Sequence, residues 1–264
     1  MDTRKPLAVV TGASSGIGRE LARVFAEHGY DLVVCAEDAG LAEAAGALRG
    51  RGGAAVEAVR ADLATYDGVE QLYAAVRADG RPVAAAALNA GVGRGGAFLA
   101  TDLGDHARVV DLNVTSTVHL AHRLLRDMAG QGSGRLLITS SVAAMAPGAY
   151  QSVYNASKSF LQSFAQALRE ELRGTGVTVT ALMPGATETA FFRRAGLAGT
   201  RIGRMAKDDP ATVAEDAFAA LVRGRARVVA GSPRTKAMSA VAAVLPDRIK
   251  AAGQRYLSTP PRSR

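Results

Sequence analysis

The feature that most constrains this chain is an apolar segment that runs directly into a glycine-rich turn. LAVVTG at 7–12 suits a buried strand, and TGASSGIG at 11–18 continues it. The following segment, IGRELARVFAEH at 17–28, places apolar side chains at helical spacing. A strand, a tight glycine turn and a helix in this order predict the start of a β–α–β unit, whose strands lie parallel in one sheet.

The alternation of strand and helix patterns continues along most of the chain. Strands separated by helices of about ten to twenty residues predict an α/β fold with a parallel sheet covered on both faces. Six further strands are predicted at 31–36, 54–63, 82–91, 135–141, 176–185 and 226–232, and further helices at 41–49, 67–79, about 105–130 and 154–173.

The C-terminal quarter differs from the body in pattern and in charge. Residues 190–209 are the longest stretch without periodicity, and such loops are usually functional lids or disordered. Residues 221–264 contain ten Lys or Arg and one acid, a net charge of +9, whereas the rest of the chain carries −1. We expect one domain at 1–255, with a substrate lid at about 190–208, and a basic tail at 256–264.

The basic segment has two interpretations, a solvated surface or a contact for an acidic partner such as an anionic membrane. No aromatic residues alternate with the basic ones, so we expect no nucleic acid partner. No apolar run approaches the roughly 20 residues that cross a bilayer, which argues against integral membrane association. The single cysteine, Cys35, excludes an internal disulfide, and the N-terminal apolar run is too short for a secretory signal. We therefore expect a cytoplasmic protein.

The glycine-rich loop has the features of a phosphate-binding turn. Gly12, Gly16 and Gly18 permit backbone angles closed to other residues and let the chain approach a pyrophosphate closely. The next helix offers free N–H groups and a positive dipole end to the anion. A plain turn has the same composition, but its place after the first strand favours a dinucleotide site. Ligands of such sheets lie beyond the carboxyl ends of the strands, which here are Gly12, Glu37, Asp62, Asn89, Ser141 and Pro184.

YNASK at 154–158 places Tyr154 and Lys158 four residues apart, on one face of a predicted helix. A phenol has a pKa of about 10, and a fixed ammonium nearby lowers that pKa towards neutrality. The pair alone is equally compatible with incidental surface groups. Ser140 and Ser141 end the preceding strand, where a hydroxyl is placed to hydrogen-bond a substrate oxygen while Tyr154 delivers the proton.

Jointly, these motifs resemble those of the short-chain dehydrogenase/reductase family. The resemblance implies a Rossmann-type doubly wound fold with a mainly seven-stranded parallel sheet. It also implies NAD(P)-dependent hydride transfer to or from a small-molecule carbonyl or secondary alcohol, as in a ketoreductase, and a homo-dimer or homo-tetramer. The matching residues, spread over 11–189, are TGASSGIG, Asp62, NAG at 89–91, Asn113, Ser141, YNASK, and PG at 184–185 with Thr189.

The resemblance assigns a role to each catalytic position. Tyr154 matches the acid/base, and Lys158 matches the residue that holds the nicotinamide ribose and lowers the tyrosine pKa. Ser141 lies 13 residues before the tyrosine, the spacing usual in the family, and is preferred to Ser140. Asn113 matches the asparagine that holds a water in a proton relay from Lys158 to solvent.

The resemblance also assigns the cofactor-binding positions. Asp62 matches an acid that contacts adenine, and NAG at 89–91 matches a segment that stabilises the sheet and borders the cofactor. PG at 184–185 with Thr189 matches the segment that places the nicotinamide carboxamide. The full expected set is Gly12, Ser14, Ser15, Gly16, Ile17, Gly18, Glu37, Asp62, Leu63, Asn89, Ala90, Gly91, Tyr154, Lys158, Pro184, Gly185, Thr187 and Thr189.

The stretch VVCAED, which ends the second strand, bears on which dinucleotide is used. Glu37 lies 19 residues after Gly18, close to the spacing at which an acid takes the ribose hydroxyls. NADP-dependent relatives often carry a basic residue at the position of Glu37 or Ser15, and NAD-dependent relatives an aspartate at that of Ala36. A 2′-phosphate beside Glu37 and Asp38 is repelled unless an arginine from elsewhere intervenes. The sequence therefore favours NAD, with NADP as the alternative.

The substrate pocket is expected to be apolar, while the substrate itself is not specified. The lid arginines either meet an anionic substrate group or are solvated. No metal is expected, because His119 and His122 lack acids or cysteines in ligand order, and Cys35 suits the core. A cofactor-sensing module without turnover is the alternative function, and an adaptor that uses the basic C-terminus is a third. The expected pocket residues are Phe98, Val142, Met145, Tyr150, Phe191, Phe192, Leu197 and Ile202, and the lid arginines are Arg193, Arg194, Arg201 and Arg204.

Overall fold

A seven-stranded sheet forms the centre of the computed structural model, which describes residues 4–259. The strand order is β3-β2-β1-β4-β5-β6-β7, and all neighbouring strands are parallel. The chain winds outwards from β1 on one side and from β4 on the other, which confirms the predicted doubly wound fold. The strands are β1 (Leu7–Thr11), β2 (Asp31–Ala36), β3 (Val56–Arg60), β4 (Val83–Leu88), β5 (Gly134–Thr139), β6 (Val177–Pro184) and β7 (Arg227–Ala230).

Helices cover both faces of the sheet and bury an apolar core on each. Successive strand residues point to opposite faces, so Val9 packs into one core while Ala8 and Val10 pack into the other. Burial on both faces explains why the strands are nearly continuous apolar runs. The helices are α1 (Gly16–Glu27), α2 (Gly40–Leu48), α3 (Tyr66–Ala78), α4 (Leu103–Val110), α5 (Ser116–Gln131), α6 (Ser152–Glu171), α7 (Phe191–Arg194), α8 (Arg201–Arg204), α9 (Pro210–Val222), α10 (Pro233–Val244) and α11 (Asp247–Ser258).

The long helix predicted at about 105–130 is divided in two. A π-helical turn, Asp111–Thr115, joins α4 directly to α5 with no loop between them. The apolar spacing continues through it, with Val109, Leu112 and Leu120 all buried. That continuity is why the pattern predicted a single helix. Turns of this kind occur frequently at functional sites, and this one contains Asn113.

The C-terminal region differs most from the prediction, because α9, α10 and α11 were not predicted as helices. α9 packs against α1 and buries Val213 and Phe218 in the core. The predicted lid contains two single-turn helices, α7 and α8. The last helix runs to Ser258, so the predicted tail begins inside it, and residues 260–264 lie outside the described residues. Within residues 4–259, no helix has both the length and the apolarity to cross a bilayer.

Candidate active site

A cleft of about 910 Å³ lies along the carboxyl ends of the strands. The glycine loop and the ends of β2, β3 and β4 form one end, and the segments after β5 and β6 form the other. All the predicted catalytic and cofactor-binding residues line this cleft except Gly18 and Asn113, which are buried behind its wall. The structure therefore brings the predicted set together in one place.

The glycine loop is shaped to hold an anion. Gly12 and Gly16 have φ of +67° and +56°, a backbone region that favours glycine. A side chain at Gly18 would collide with the carbonyl oxygen of Gly12, so α1 can begin this close to β1 only with glycine there. Ser15 precedes α1 but makes no side-chain capping hydrogen bond, which leaves the first-turn N–H groups for a ligand. These features fit the pyrophosphate of a dinucleotide.

A hydrogen-bonded network fixes the strand ends behind the loop. The Thr11 hydroxyl accepts hydrogen bonds from the backbone N–H groups of Asn89, at 2.9 Å, and Ala90, at 3.0 Å. The Asn89 amide donates to the Thr11 carbonyl at 3.3 Å and accepts from the Thr139 hydroxyl at 3.2 Å. The side chain of Asn89 thus ties the ends of β1 and β5 to the segment after β4.

The far end of the cleft, where the adenosine is expected, is charged. Glu37 and Asp62 line it, and Arg108 of α4 forms an ion pair with each of them. The ion pair with Arg108 also holds the pKa of the Asp62 carboxyl below its usual range. Asp38 is engaged elsewhere, because it accepts from the Ser14 hydroxyl at 2.8 Å and from the N–H of Gly40 at 3.0 Å. Arg108 is not among the residues predicted for the site.

Ser141, Tyr154 and Lys158 converge at the other end of the cleft. The Tyr154 hydroxyl hydrogen-bonds with the Ser141 side chain. The Lys158 Nζ donates to the Thr139 carbonyl at 2.9 Å and lies 5.8 Å from the centre of the Tyr154 ring. The Ser140 hydroxyl donates instead to the Lys158 carbonyl at 2.7 Å. Of the two serines, Ser141 is therefore the one whose hydroxyl meets the tyrosine.

The titration of the tyrosine and lysine differs from the expectation. Burial raises the pKa of Tyr154 to about 12, and the hydrogen bond with Ser141 opposes this only in part. Burial also lowers the pKa of Lys158 to about 8. The predicted lowering of the tyrosine pKa by Lys158 is wrong for this structure, because burial of the phenol raises its pKa and only Ser141 opposes that rise. Tyr154 therefore holds its proton at neutral pH.

Asn113 braces the wall of the cleft from behind. Its side-chain amide donates to the Val92 carbonyl at 2.9 Å and to the Ser157 hydroxyl at 3.0 Å, and accepts from the Val92 N–H at 2.8 Å. A Cβ at Gly91 would lie 3.1 Å from the Asn113 Oδ1 and 3.3 Å from the Lys158 Nζ. The absence of a side chain at Gly91 is what lets the asparagine and the lysine approach this segment.

The end of the cleft beside Tyr154, where the substrate is expected, is apolar. Only some of the residues predicted to line it do so. Val142, Met145, Phe191, Phe192 and Ile202 line it. The predictions for Phe98, Tyr150 and Leu197 were wrong, and of the four lid arginines only Arg194 lines the cleft.

The residues that were wrongly predicted to line the cleft lie elsewhere in the structure. Phe98 is exposed and stacks on His106 at 4.8 Å. Leu197 is buried against Gly95, and Tyr150 adopts a positive φ of 64° in the loop before α6. Arg201 holds α11 instead, because its guanidinium lies 4.1 Å from the centre of the Tyr256 ring and donates to the Tyr256 carbonyl.

α10 and α11 complete the cleft with side chains that sequence reasoning missed. Met238, Leu245, Ile249 and Leu257 line the substrate end. The helix starts carry a usable signal, since Asp209 caps α9 and Ser232 caps α10, each followed by proline. That signal locates the helices but not the surface on which they pack.

The remaining titratable candidates do not form a metal site. In the described part of the chain, no group of three or more His, Cys, Asp or Glu side chains is placed to hold a metal ion. His119 pairs with Glu70 at 2.6 Å and stacks on Tyr66. Cys35 is buried in β2, and burial raises its pKa to about 12.

Known proteins share this sequence pattern. The family model described as short chain dehydrogenase matches residues 6–197. A serine 3-dehydrogenase of Agrobacterium fabrum is 34% identical over 184 residues, which cover 69% of this chain and 72% of that protein. An uncharacterized oxidoreductase of Staphylococcus saprophyticus is 30% identical over 222 residues, covering 84% of this chain and 93% of that protein.

Solved structures share the fold. A short-chain dehydrogenase from Sphingobium yanoikuyae in complex with NADPH is 30% identical, with a TM-score of 0.79 and coverage of 89% of this chain and 93% of that one. A short-chain dehydrogenase/reductase from Burkholderia phymatum in complex with NAD is 27% identical, with a TM-score of 0.79 and coverage of 100% and 99%. The two similar structures thus carry different dinucleotides.

Proposed function

The chain belongs to the short-chain dehydrogenase family, an NAD(P)-dependent family of oxidoreductases, and on that premise we propose that it uses Tyr154 to protonate or deprotonate a carbonyl or secondary alcohol substrate. The observation that carries the proposal is the convergence of Ser141, Tyr154 and Lys158 at one end of the cleft. When bound, the nicotinamide dinucleotide supplies or accepts the hydride.

Tyr154 acts as the proton donor in the reducing direction. Its pKa of about 12 keeps the phenol protonated near neutral pH, so the proton is available to a carbonyl oxygen. Ser141 donates a second hydrogen bond to the same oxygen, which stabilises the negative charge that develops there. In the oxidising direction Tyr154 takes the proton back from the alcohol, and Ser141 holds the oxygen in place.

Lys158 and Asn113 support the tyrosine. The Lys158 ammonium lies beside the ring and is anchored on the Thr139 carbonyl, so its remaining protons are free for the ribose. Asn113 holds the segment after Gly91 against the lysine, and we assign it this positioning role together with the expected proton relay. Neither residue reacts itself.

The other predicted residues would hold the dinucleotide along the cleft. The glycine loop and the start of α1 would receive the pyrophosphate, and the segment at 89–91 would border the nucleoside. Thr187 and Thr189, after β6, lie where the carboxamide is expected. Glu37 and Asp62 lie at the adenosine end, where they accept hydrogen bonds from ribose hydroxyls and from adenine.

The substrate is proposed to be apolar, and the protein to be a cytoplasmic homo-oligomer. Val142, Met145 and Phe191 support the first proposal, since they surround the space beside Tyr154. Phe160 supports the last, because it is exposed on α6 and stacks on Phe164, although α6 otherwise packs on the sheet.

The test is oxidation of NADH and NADPH in the presence of ketones of graded size. We expect turnover with at least one bulky apolar ketone. Ser141→Ala should lower kcat/KM by about 100-fold or more, the loss of one donor to a developing oxyanion. Ser140→Ala is the matched control, because its hydroxyl bonds the helix backbone, and it should change kcat/KM by less than about fivefold.

A cofactor-sensing module without turnover predicts a different outcome. Such a protein binds the dinucleotide but oxidises it with no ketone in the panel. Equal effects of the two serine substitutions would also contradict the proposed role of Ser141.

A further inference from the structure

Arg108 lies just outside the cleft and contacts two carboxylates that line its adenosine end, a position that no sequence motif predicts. Its Nη1 donates to the Asp62 Oδ2 at 2.6 Å, and its Nη2 donates to the Glu37 Oε2. The partners lie 46 and 71 residues away in the sequence, on the segments that follow β3 and β2. One guanidinium from α4 therefore bridges both carboxylates at this end.

Glu37 lies between two guanidinium groups. Arg60 donates from its Nε to the Glu37 backbone carbonyl at 3.0 Å, while Arg108 binds the Glu37 side chain. Asp38 is held by Ser14 and Gly40. The position that looked purely acidic in the sequence is therefore partly neutralised in the folded protein.

The ion pairs of Arg108 are exposed to solvent, so Arg108 can exchange one partner for another readily. The side chains of Arg108, Glu37 and Asp62 are 37%, 52% and 39% exposed, so water competes with each contact. A phosphate carries nearly two negative charges, so at equal distance its Coulomb attraction to a guanidinium exceeds that of a singly charged carboxylate. An arginine that faces both therefore favours the phosphate.

We propose that Arg108 decides whether the site accepts the 2′-phosphate of NADP. Its Nη1 stays on Asp62, while its Nη2 exchanges from the Glu37 carboxylate to the phosphate. With NAD, the Arg108 Nη2 keeps its hydrogen bond to the Glu37 Oε2. The other carboxylate oxygen of Glu37, Oε1, then accepts hydrogen bonds from the ribose hydroxyls. The chain therefore binds both cofactors in spite of Glu37. This inference rests on the dinucleotide site of the proposed function.

The test measures binding of two adenosine fragments by calorimetry and needs no turnover. The probes are 5′-AMP and adenosine 2′,5′-bisphosphate, which differ by the 2′-phosphate. Arg108→Gln should weaken binding of the bisphosphate about tenfold or more, the loss of one charged contact, and binding of 5′-AMP less than about threefold. The matched control is Arg94→Gln, because Arg94 pairs with Asp105 of α4 and forms an ion pair with neither Glu37 nor Asp62, and it should change neither affinity.

Glu37→Gln extends the test as a double-mutant cycle. Removal of the Glu37 charge frees the Arg108 Nη2. Glu37→Gln should therefore tighten bisphosphate binding when Arg108 is present and change it much less in the Arg108→Gln background. Equal tightening in both backgrounds would show that Glu37 repels the phosphate and that Arg108 plays no part.

The remaining outcomes separate this inference from the proposed function. If the unaltered protein binds 5′-AMP but not the bisphosphate, or if Arg108→Gln weakens both equally, the inference about Arg108 fails alone. If the unaltered protein binds neither fragment, the dinucleotide site itself is wrong.

Discussion

The catalytic end of the cleft and its C-terminal cover are built in opposite ways. Asn113, Ser141 and Lys158 are buried, and each donates a hydrogen bond to a backbone carbonyl of another segment. The cover formed by α10 and α11 exposes large apolar side chains, with Val244 83% and Ile249 55% exposed. The proposed chemistry thus rests on a preorganised frame, whereas the space proposed for the substrate is bounded by a loosely embedded surface.

The catalytic frame and the C-terminal cover should therefore control different kinetic parameters. Buried polar groups with fixed partners hold reacting groups in one geometry, which catalysis requires. The cover is fastened by individual side chains, among them the Gln151 amide, which donates to the Ser258 hydroxyl at 2.8 Å, and Arg201, which stacks on Tyr256. Changes in the frame should alter kcat, and changes in the cover should alter the KM of the substrate.

Apart from loss of the Tyr154 hydroxyl, the largest effect is expected for Lys158→Met in the catalytic frame. Loss of the ammonium should reduce kcat/KM by about 1000-fold, within the range for a group that supports acid/base catalysis. The melting temperature should stay within a few degrees, because the change also removes a charge whose burial is unfavourable. Steady-state kinetics and thermal melts measure both. A collapse of stability that parallels the activity would assign Lys158 to the core and not to the chemistry.

The effect of pH on kcat/KM should be smaller than that of Lys158→Met and should follow the ionisation of Lys158. The Lys158 pKa is lowered to about 8, so the ammonium is lost as pH rises through that value. We expect kcat/KM for ketone reduction to fall above about pH 8, by up to tenfold per unit. A profile that stays flat to pH 10 would contradict this assignment.

The same titration has a consequence for stability. Because the folded-state pKa of about 8 lies below the ordinary value of about 10.4, the unfolded chain binds more protons between the two values. The contribution of this group to stability is therefore lowest below the folded pKa and rises as pH increases towards the unfolded one. The stability difference between the unaltered protein and Lys158→Met should shift in that direction, as chemical denaturation at several pH values measures.

The smallest effect is expected in the cover, for Ser258→Ala. This substitution leaves the buried Gln151 amide without its partner and loosens the end of α11. The KM for a bulky ketone should rise about three- to tenfold, while kcat and the dissociation constant of the cofactor stay the same. Arg248→Ala is the control, because Arg248 is exposed on the same helix and does not line the cleft, and it should leave all three unchanged. A fall in kcat without a change in KM would place the cover in the catalytic frame.

The sequence predicts the frame well because its signals are local. The glycine turn, the apolar strands and the pair Tyr154 and Lys158 each occupy a few consecutive residues, and a parallel sheet gathers the strand ends without further information. α9 and α10 escaped prediction because their many alanines blur the periodic contrast, although Asp209 and Ser232 mark their starts.

Features that depend on distant contacts were not predictable from the sequence. Arg108 meets Glu37 and Asp62 only because α4 folds over the ends of β2 and β3. The pKa of Tyr154 depends on how deeply the phenol is buried, which the spacing to Lys158 does not contain. The preference for NAD stays a prediction, and Arg108 is the reason why the charge of Glu37 alone does not decide it.

The central claim is that Tyr154 is the proton donor, and Tyr154→Phe tests it most directly. The variant keeps the ring that contacts Phe191 and removes only the hydroxyl. We predict that turnover of the best ketone falls about 1000-fold or more while the dissociation constant of the cofactor changes less than about twofold. Retention of most of the turnover with the cofactor still bound would contradict the account.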